Sequence, residues 1–296
     1  MAKVIKDTLG LCTMLTPPEE MAARKHGIPT MRGVLYKVNE DANGNPIFDQ
    51  LTKVNENTVV LGGAVLALEK LFGVTPTYIP STINSDPDLG INSSLEADIS
   101  PINTTVKCFG VGTGGSDTHI GSYKDPDFKM KSLPEWIPFR ISDTDHLDDS
   151  IASKYYYRRQ IKDSPDPQWG WYLKEFESTP ALESHWRDTP DPNATGSIIL
   201  EDVSNSKSTN LIETFAECII KIEADDIRPY FQWAGDLQQA RYNSIGLFTG
   251  VKRVIDQGAG YTDYAGVRLF SVVNFNNIPL DLPTSATYLY RVYAAV

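Results

Sequence analysis

Cysteine is scarce: the chain has three among 296 residues, Cys12, Cys108 and Cys218, far apart and with no C-x-x-C spacing. That excludes a disulfide framework or a thiolate zinc site as an expectation and predicts buried thiols instead. Histidine is nearly as rare. His26, His119, His146 and His185 are widely separated and no H-E-x-x-H occurs, so no metal centre and no cofactor is expected. Positive charge is short as well, with 27 Lys and Arg against 38 Asp and Glu and a net charge of −11, so no specific nucleic acid and no anionic membrane is expected as a partner. Long apolar runs are missing too. The longest, residues 59–68, stops at Glu69, well short of the ~20 residues that cross a bilayer. The first fifteen residues carry scattered apolar positions without an A-x-A-like cleavage site, so no secretory signal is expected.

What remains is a composition of 41% hydrophobic and 22% charged residues, which suits a globular chain. Residues 1–29 mix polar text with Pro17-Pro18 and read as an extended N-terminal arm that orders on a partner. Residues 33–38 alternate as a strand, and Asp41-Ala42-Asn43-Gly44-Asn45-Pro46 supplies turn chemistry, which predicts a hairpin. Asn57 or Thr58 can cap a helix through Val59, Leu61, Val65, Leu68, Leu71 and Phe72, closed by Gly73. Apolar on nearly all sides, that helix is expected to be buried.

From residue 75 to 101 the text turns to Pro, Ser, Asn and Asp, and beyond it short strand candidates recur at 104–111, 136–141, 154–161, 169–176, 196–203, 214–223, 242–249, 266–275 and 286–294. Two units are expected: 1–103 with arm, hairpin, helix and irregular text, and 104–296 as an antiparallel β-sandwich of jelly-roll-like form. The clearest alternation sets Val267, Leu269, Ser271 and Val273 against Arg268, Phe270, Val272 and Asn274.

Several motifs invite chemistry. Gly110-Val111-Gly112-Thr113-Gly114-Gly115 has G-x-G-x-x-G spacing after a strand, but no helical period follows and no βαβ pattern surrounds it, so a glycine-rich turn is expected rather than a nucleotide site. Ser116, Asp117 and His119 lack a nucleophile elbow. The acidic run 143–149 departs from an EF-hand loop, with Asp148 where glycine is needed and Lys154 where glutamate is needed, and reads as a solvated loop or a helix start. Glu175 and Glu177 are too ordinary a pair to indicate a glycosidase. Sequons at Asn92, Asn103 and Asn193 matter only in a secretory pathway.

The aromatic groups are more informative. Tyr155, Tyr157 and Arg159 share one face of a strand if it alternates regularly, and Trp169 with Trp171, and Tyr230 with Trp233, form further ring pairs read as strand-borne. Tyr, Trp and Arg are enriched at protein interfaces, so these seven are the candidate interface residues, with carbohydrate stacking as the alternative. No catalytic residues are assigned.

The stretches 106–115, 137–140 and 171–177, together with Ser244-Ile-Gly-Leu-Phe-Thr-Gly250, residues 268–275 and residues 288–294, resemble virion structural proteins of tailed bacteriophages, as found in tails, baseplates and necks. The resemblance covers roughly residues 104 to 296. It implies a non-enzymatic building block, made in the bacterial cytoplasm and assembled in several copies with itself and with other virion proteins. Attachment to a host surface or carbohydrate is the alternative role.

Overall fold

The computed structural model describes residues 30–51, 57–59, 105–115, 136–162, 165–186, 212–237, 240–256, 261–279 and 285–295. These are mainly β, and every strand pair is antiparallel. The expected arm, the sequons, the Ser116–His119 region, Cys12 and the candidate strand 196–203 lie outside the described residues.

The first sheet runs in the order β2 (Pro46–Gln50), β1 (Thr30–Glu40), β13 (Ala286–Ala295), β10 (Ile212–Ile222) and β9 (Ala181–Trp186). The predicted hairpin is present. The Asp41 carboxylate accepts the backbone N–H groups of Asn43 and Asn45 at 2.8 Å each, and Gly44 takes φ 82°, the conformation that its lack of a Cβ permits. β1 pairs along β13, from Thr30 with Ala295 to Val38 with Thr287, so a division between residues 103 and 104 separates strands that hydrogen-bond to one another.

The second sheet runs β3 (Asn57–Val59), β12 (Tyr261–Pro279), β11 (Arg241–Asp256), β4 (Thr105–Gly112), β8 (Gln168–Glu175) and β6 (Arg140–Ser142), with β5 (Trp136–Ile137) on β4 and β7 (Tyr155–Lys162) on β8. Asn57–Val59, expected to open a helix, instead pair with β12; residues 60–72 of that expectation lie outside the described residues. Two short helices are described, α1 (Asp149–Ala152) and α2 (Arg228–Trp233). Tyr230 and Trp233 therefore sit on a helix rather than a strand. Pro229 occupies the first turn of α2, where its missing N–H is no loss.

One buried cluster draws on both sheets: Leu35, Cys218, Ile220, Tyr288 and Tyr290 from the first, and Phe109, Val111, Trp171, Ile245, Leu247 and Val273 from the second. The Tyr242 and Tyr288 hydroxyls hydrogen-bond across it, as do Ser271 and Tyr290 at 3.1 Å. Burial raises both tyrosines of the first pair, Tyr288 to about 12.

A second cluster lies on the other face of the second sheet and contains Cys108, Trp136, Tyr156, Tyr157, Tyr172, Leu173, Phe248, Tyr264, Val267, Leu269 and Val272. Register shifts interrupt the β11–β12 and β11–β4 ladders, and such bulges bend strands and sharpen their twist. The sheet curls far enough to bring β12 against β7. There the buried Asp263 carboxylate of β12 accepts the N–H groups of Tyr157 and of Arg158, the latter at 3.0 Å, and also that of Tyr264 at 2.7 Å. A side chain closes the seam where a ladder is absent.

Glycine is required at two close approaches. The Gly115 N–H donates to Asn243 Oδ1 at 2.7 Å, and a Cβ there would collide with the Asn243 carbonyl. The G-x-G-x-x-G segment is thus a strand and turn packed on β11, as expected. At Gly246 a Cβ would meet the Trp136 ring and lie 2.8 Å from Leu269.

Candidate functional site

The seven interface candidates separate by exposure. Tyr155, Tyr157 and Trp171 are 1%, 0% and 0% exposed and Arg159 is 5% exposed, so these four are interior side chains and cannot grip a neighbour. Two physical causes defeat the expectation. The second sheet is apolar on both faces, so the rings of Tyr155 and Tyr157 on β7 and of Trp171 inside β8 are covered. The shared face also fails, because Tyr157 has φ 62°, a left-handed conformation unusual for a bulky residue, and β7 skips a partner on β8 there. Tyr155 consequently enters the inter-sheet cluster while Tyr156 and Tyr157 enter the other. The Arg159 guanidinium lies 3.4 Å from the Tyr157 ring centre.

Trp169, Tyr230 and Trp233 do reach the surface. Arg158 stacks on Trp169 at 5.0 Å and pairs with Asp145 at 3.2 Å. Tyr230 and Trp233 lie one turn apart on α2 with ring centres 6.1 Å apart, and Trp233 is 44% exposed with exposed Leu237 just beyond it. Other large exposed apolar side chains are Ile47, Leu182 and Val254, on β2, β9 and β11.

Sequence reasoning missed a buried polar network between the sheets. Lys174 of β8 is 3% exposed, although it stands next to Glu175, and it pairs in register with Phe109 and Tyr155. Its Nζ lies 2.8 Å from Asp226 Oδ2, 3.4 Å from Glu223 Oε2 and 3.1 Å from the Lys221 carbonyl. Asp226, wholly buried in the turn between β10 and α2, also accepts the Tyr155 hydroxyl at 2.6 Å and the Glu223 backbone N–H at 2.8 Å, with Arg140 at 3.4 Å. Burial and the Asp226 charge push the Tyr155 hydroxyl far up, so it remains a donor. Desolvation raises Glu223, but Lys174 and Lys154 together outweigh it and hold its carboxyl below the usual value. Ile227, beside Asp226, has φ 68° although β-branched, so the turn is strained where the charges meet. The one sequence signal is a lysine directly after the apolar run Trp169–Leu173 of β8.

A third group joins β4, β7, β8, β11 and β12. Lys252 pairs with Glu175 at 2.8 Å, over the rings of Tyr156 and Tyr264, and the Tyr264 hydroxyl donates to Glu175. Glu175 is thus engaged away from Glu177, whose backbone N–H bonds to the Ile219 carbonyl. Cys108 and Cys218 are buried free thiols, as expected, and desolvation raises both, Cys218 to about 12.

In the acidic run Asp143, Asp148 and Asp149 are exposed, and Asp149 lies in the first turn of α1. Among the described residues no three His, Cys, Asp or Glu side chains are grouped as a metal site, and no helix is long and apolar enough to cross a membrane. Comparison with family models, with curated proteins and with solved structures finds no match.

Proposed function

We propose that this chain is a structural component of a tailed-phage virion, a baseplate, neck or tail element that assembles in several copies with itself and with other virion proteins. The observation that carries the reading is the exposed ring at the end of α2 and the exposed apolar side chain just beyond it, Trp233 at 44% and Leu237 at 39% exposure. A desolvated indole is the kind of anchor that concentrates binding energy at a protein interface. The stretches that resemble virion proteins supply β4, β8, β11 and β12, which are neighbours in the second sheet. Repeated heterologous contacts close into rings when the rotation between copies permits. The jelly-roll-like sandwich belongs to this same reading; its support is that the chain changes sheet between β10 and β11 and again between β12 and β13. The role is assembly rather than turnover, and its place is the particle assembled in the host cytoplasm.

Electron micrographs and light scattering of the purified full chain test this. Rings or defined multimers that dissociate in Trp233→Ala are expected. A monodisperse monomer, with no assembly in lysates of the producing host, overturns it.

Carbohydrate binding is favoured by one observation, the pairing of the Tyr230 and Trp233 rings at 37° beside solvent. Trp171, 0% exposed, is not available to a sugar. Glycan-array binding lost in Trp233→Ala, from a chain that remains monomeric, would select this second reading.

A further inference from the structure

An amine and a carboxyl group in contact within a protein interior are in the position of reactants. Water normally keeps them apart as solvated ions, and burial withdraws that solvation, favouring the neutral amine and acid relative to the ion pair. Lys174 Nζ and Asp226 Oδ2 are 2.8 Å apart, with their side chains 3% and 0% exposed. They come from opposite sheets, Lys174 from β8 and Asp226 from the turn after β10. A third group of the right kind touches the amine: the Glu223 carboxylate, 3.4 Å from Nζ and 28% exposed. The Asp226 carboxyl is also polarised from outside the pair, by the Tyr155 hydroxyl at 2.6 Å and Arg140 Nη2 at 3.4 Å on Oδ1, and by the Glu223 N–H at 2.8 Å on Oδ2.

We propose that Lys174 and Asp226 condense to an intramolecular isopeptide bond, with Glu223 carrying the proton. A proton first passes along the 2.8 Å hydrogen bond, giving amine and acid. The Nζ lone pair attacks Asp226 Cγ while Glu223 Oε2 takes a proton from Nζ. Charge gathers on Oδ1, where the Tyr155 hydroxyl and Arg140 are already aimed, the arrangement by which fixed donors lower the barrier of acyl transfer. Glu223 then returns its proton to Oδ2, which departs as water. One C–N bond forms, one C–O bond breaks, one water is released, and nothing is oxidised or reduced. Proximity supplies what would otherwise be a bimolecular encounter. The product ties β8 of one sheet to the exit of β10 in the other, and two buried charges disappear. This inference does not rest on the assembly role proposed above.

The test is the intact mass of the purified full chain under denaturing conditions, followed by proteolysis. The expected mass is one water below that of the sequence. Digestion is expected to give a branched peptide joining the segments around Lys174 and Asp226, with no tryptic cleavage after Lys174. Lys174→Met and Glu223→Gln are expected at full mass, with near-ultraviolet circular dichroism reporting their fold. If Lys174→Met does not fold, the branched wild-type peptide and Glu223→Gln still decide. A wild-type chain at full mass after incubation at neutral and mildly acid pH, with the two segments recovered as separate linear peptides, overturns the bond. So does a water loss that persists in Lys174→Met, which would mark a succinimide. A branched peptide in Glu223→Gln overturns the role given to Glu223.

Discussion

The Asp263 carboxylate accepts the backbone N–H of Tyr157, the residue at which β7 adopts φ 62°. It takes the N–H of Arg158 as well, while Arg158 keeps its place opposite Trp171 of β8. Removing the carboxylate takes the acceptor from two buried donors and one part-buried donor. With ~1–3 kcal/mol for each buried group left without a partner, and partial relaxation, Asp263→Ala is expected to lose about 3 kcal/mol of stability. Urea denaturation measures this. A loss below about 1 kcal/mol would mean that water replaces the carboxylate and that the seam is not closed as described.

The same residue gives a pH dependence of unusual sign. Desolvation raises the Asp263 carboxyl above 3.8, against the lowering effects of Arg159 and the three N–H groups. A raised carboxyl holds its proton more tightly folded than unfolded. Its contribution to stability therefore falls as pH climbs from 3.8 through the raised value and is level above it. The stability of the wild type relative to Asp263→Asn, followed by urea titration at a series of pH values, is expected to decline across that window. Parallel profiles for the two proteins would refute it.

Trp171 and Trp233 are expected to behave oppositely. Trp171→Ala empties an interior site and should cost about 3–5 kcal/mol. Trp233→Ala, at a residue 44% exposed, should stay within about 0.5 kcal/mol. Equal effects in denaturant would show that the α2 ring is packed and not free for a partner.

Gly246→Ala forces a methyl against the Trp136 ring and Leu269. Overpacking of this kind is expected to cost about 1–3 kcal/mol. Trp136→Leu in the same chain should recover part of that loss, a coupling that a double-mutant cycle reads out. Strict additivity of the two changes would contradict the contact.

Both buried thiols should ignore thiol reagents in the native state, since the nucleophile is the thiolate and burial raises each thiol. Peptide-resolved labelling is expected to find Cys108 and Cys218 modified only as denaturant opens the fold. Fast labelling of either in buffer alone would place it outside the clusters.

The strands were legible wherever local pattern decided. The turn at Asp41, the glycine-limited β4 and the β-branched and aromatic runs of β10 and β13 all lie where the sequence predicts them. The short strand β9, Ala-Leu-Glu-Ser-His-Trp, lacks a strong pattern, and the sequence does not predict it. The faces were less legible. In β12 the ladder gains a residue between Leu269 and Ser271, so Val267 and Leu269 share a cluster with Val272, while Phe270, Val273 and Phe275 turn to the other. Strict alternation assigns Val272 and Val273 the wrong way round because it cannot see a bulge. At Tyr157 the positive φ breaks the alternation of β7 without a shift of register. The polar network was hidden for a different reason: Lys174 and Asp226 are 52 residues apart, and only the stacking of two sheets unites them.

β13 sits between β1 and β10, though translation delivers it after both. Until the ribosome releases that segment, the flanks of β1 and β10 that it will occupy stand open, and the first sheet cannot form in its final order. Its nucleation must await β13, which favours slow folding and rewards a chaperone that shields two sticky flanks in the interval.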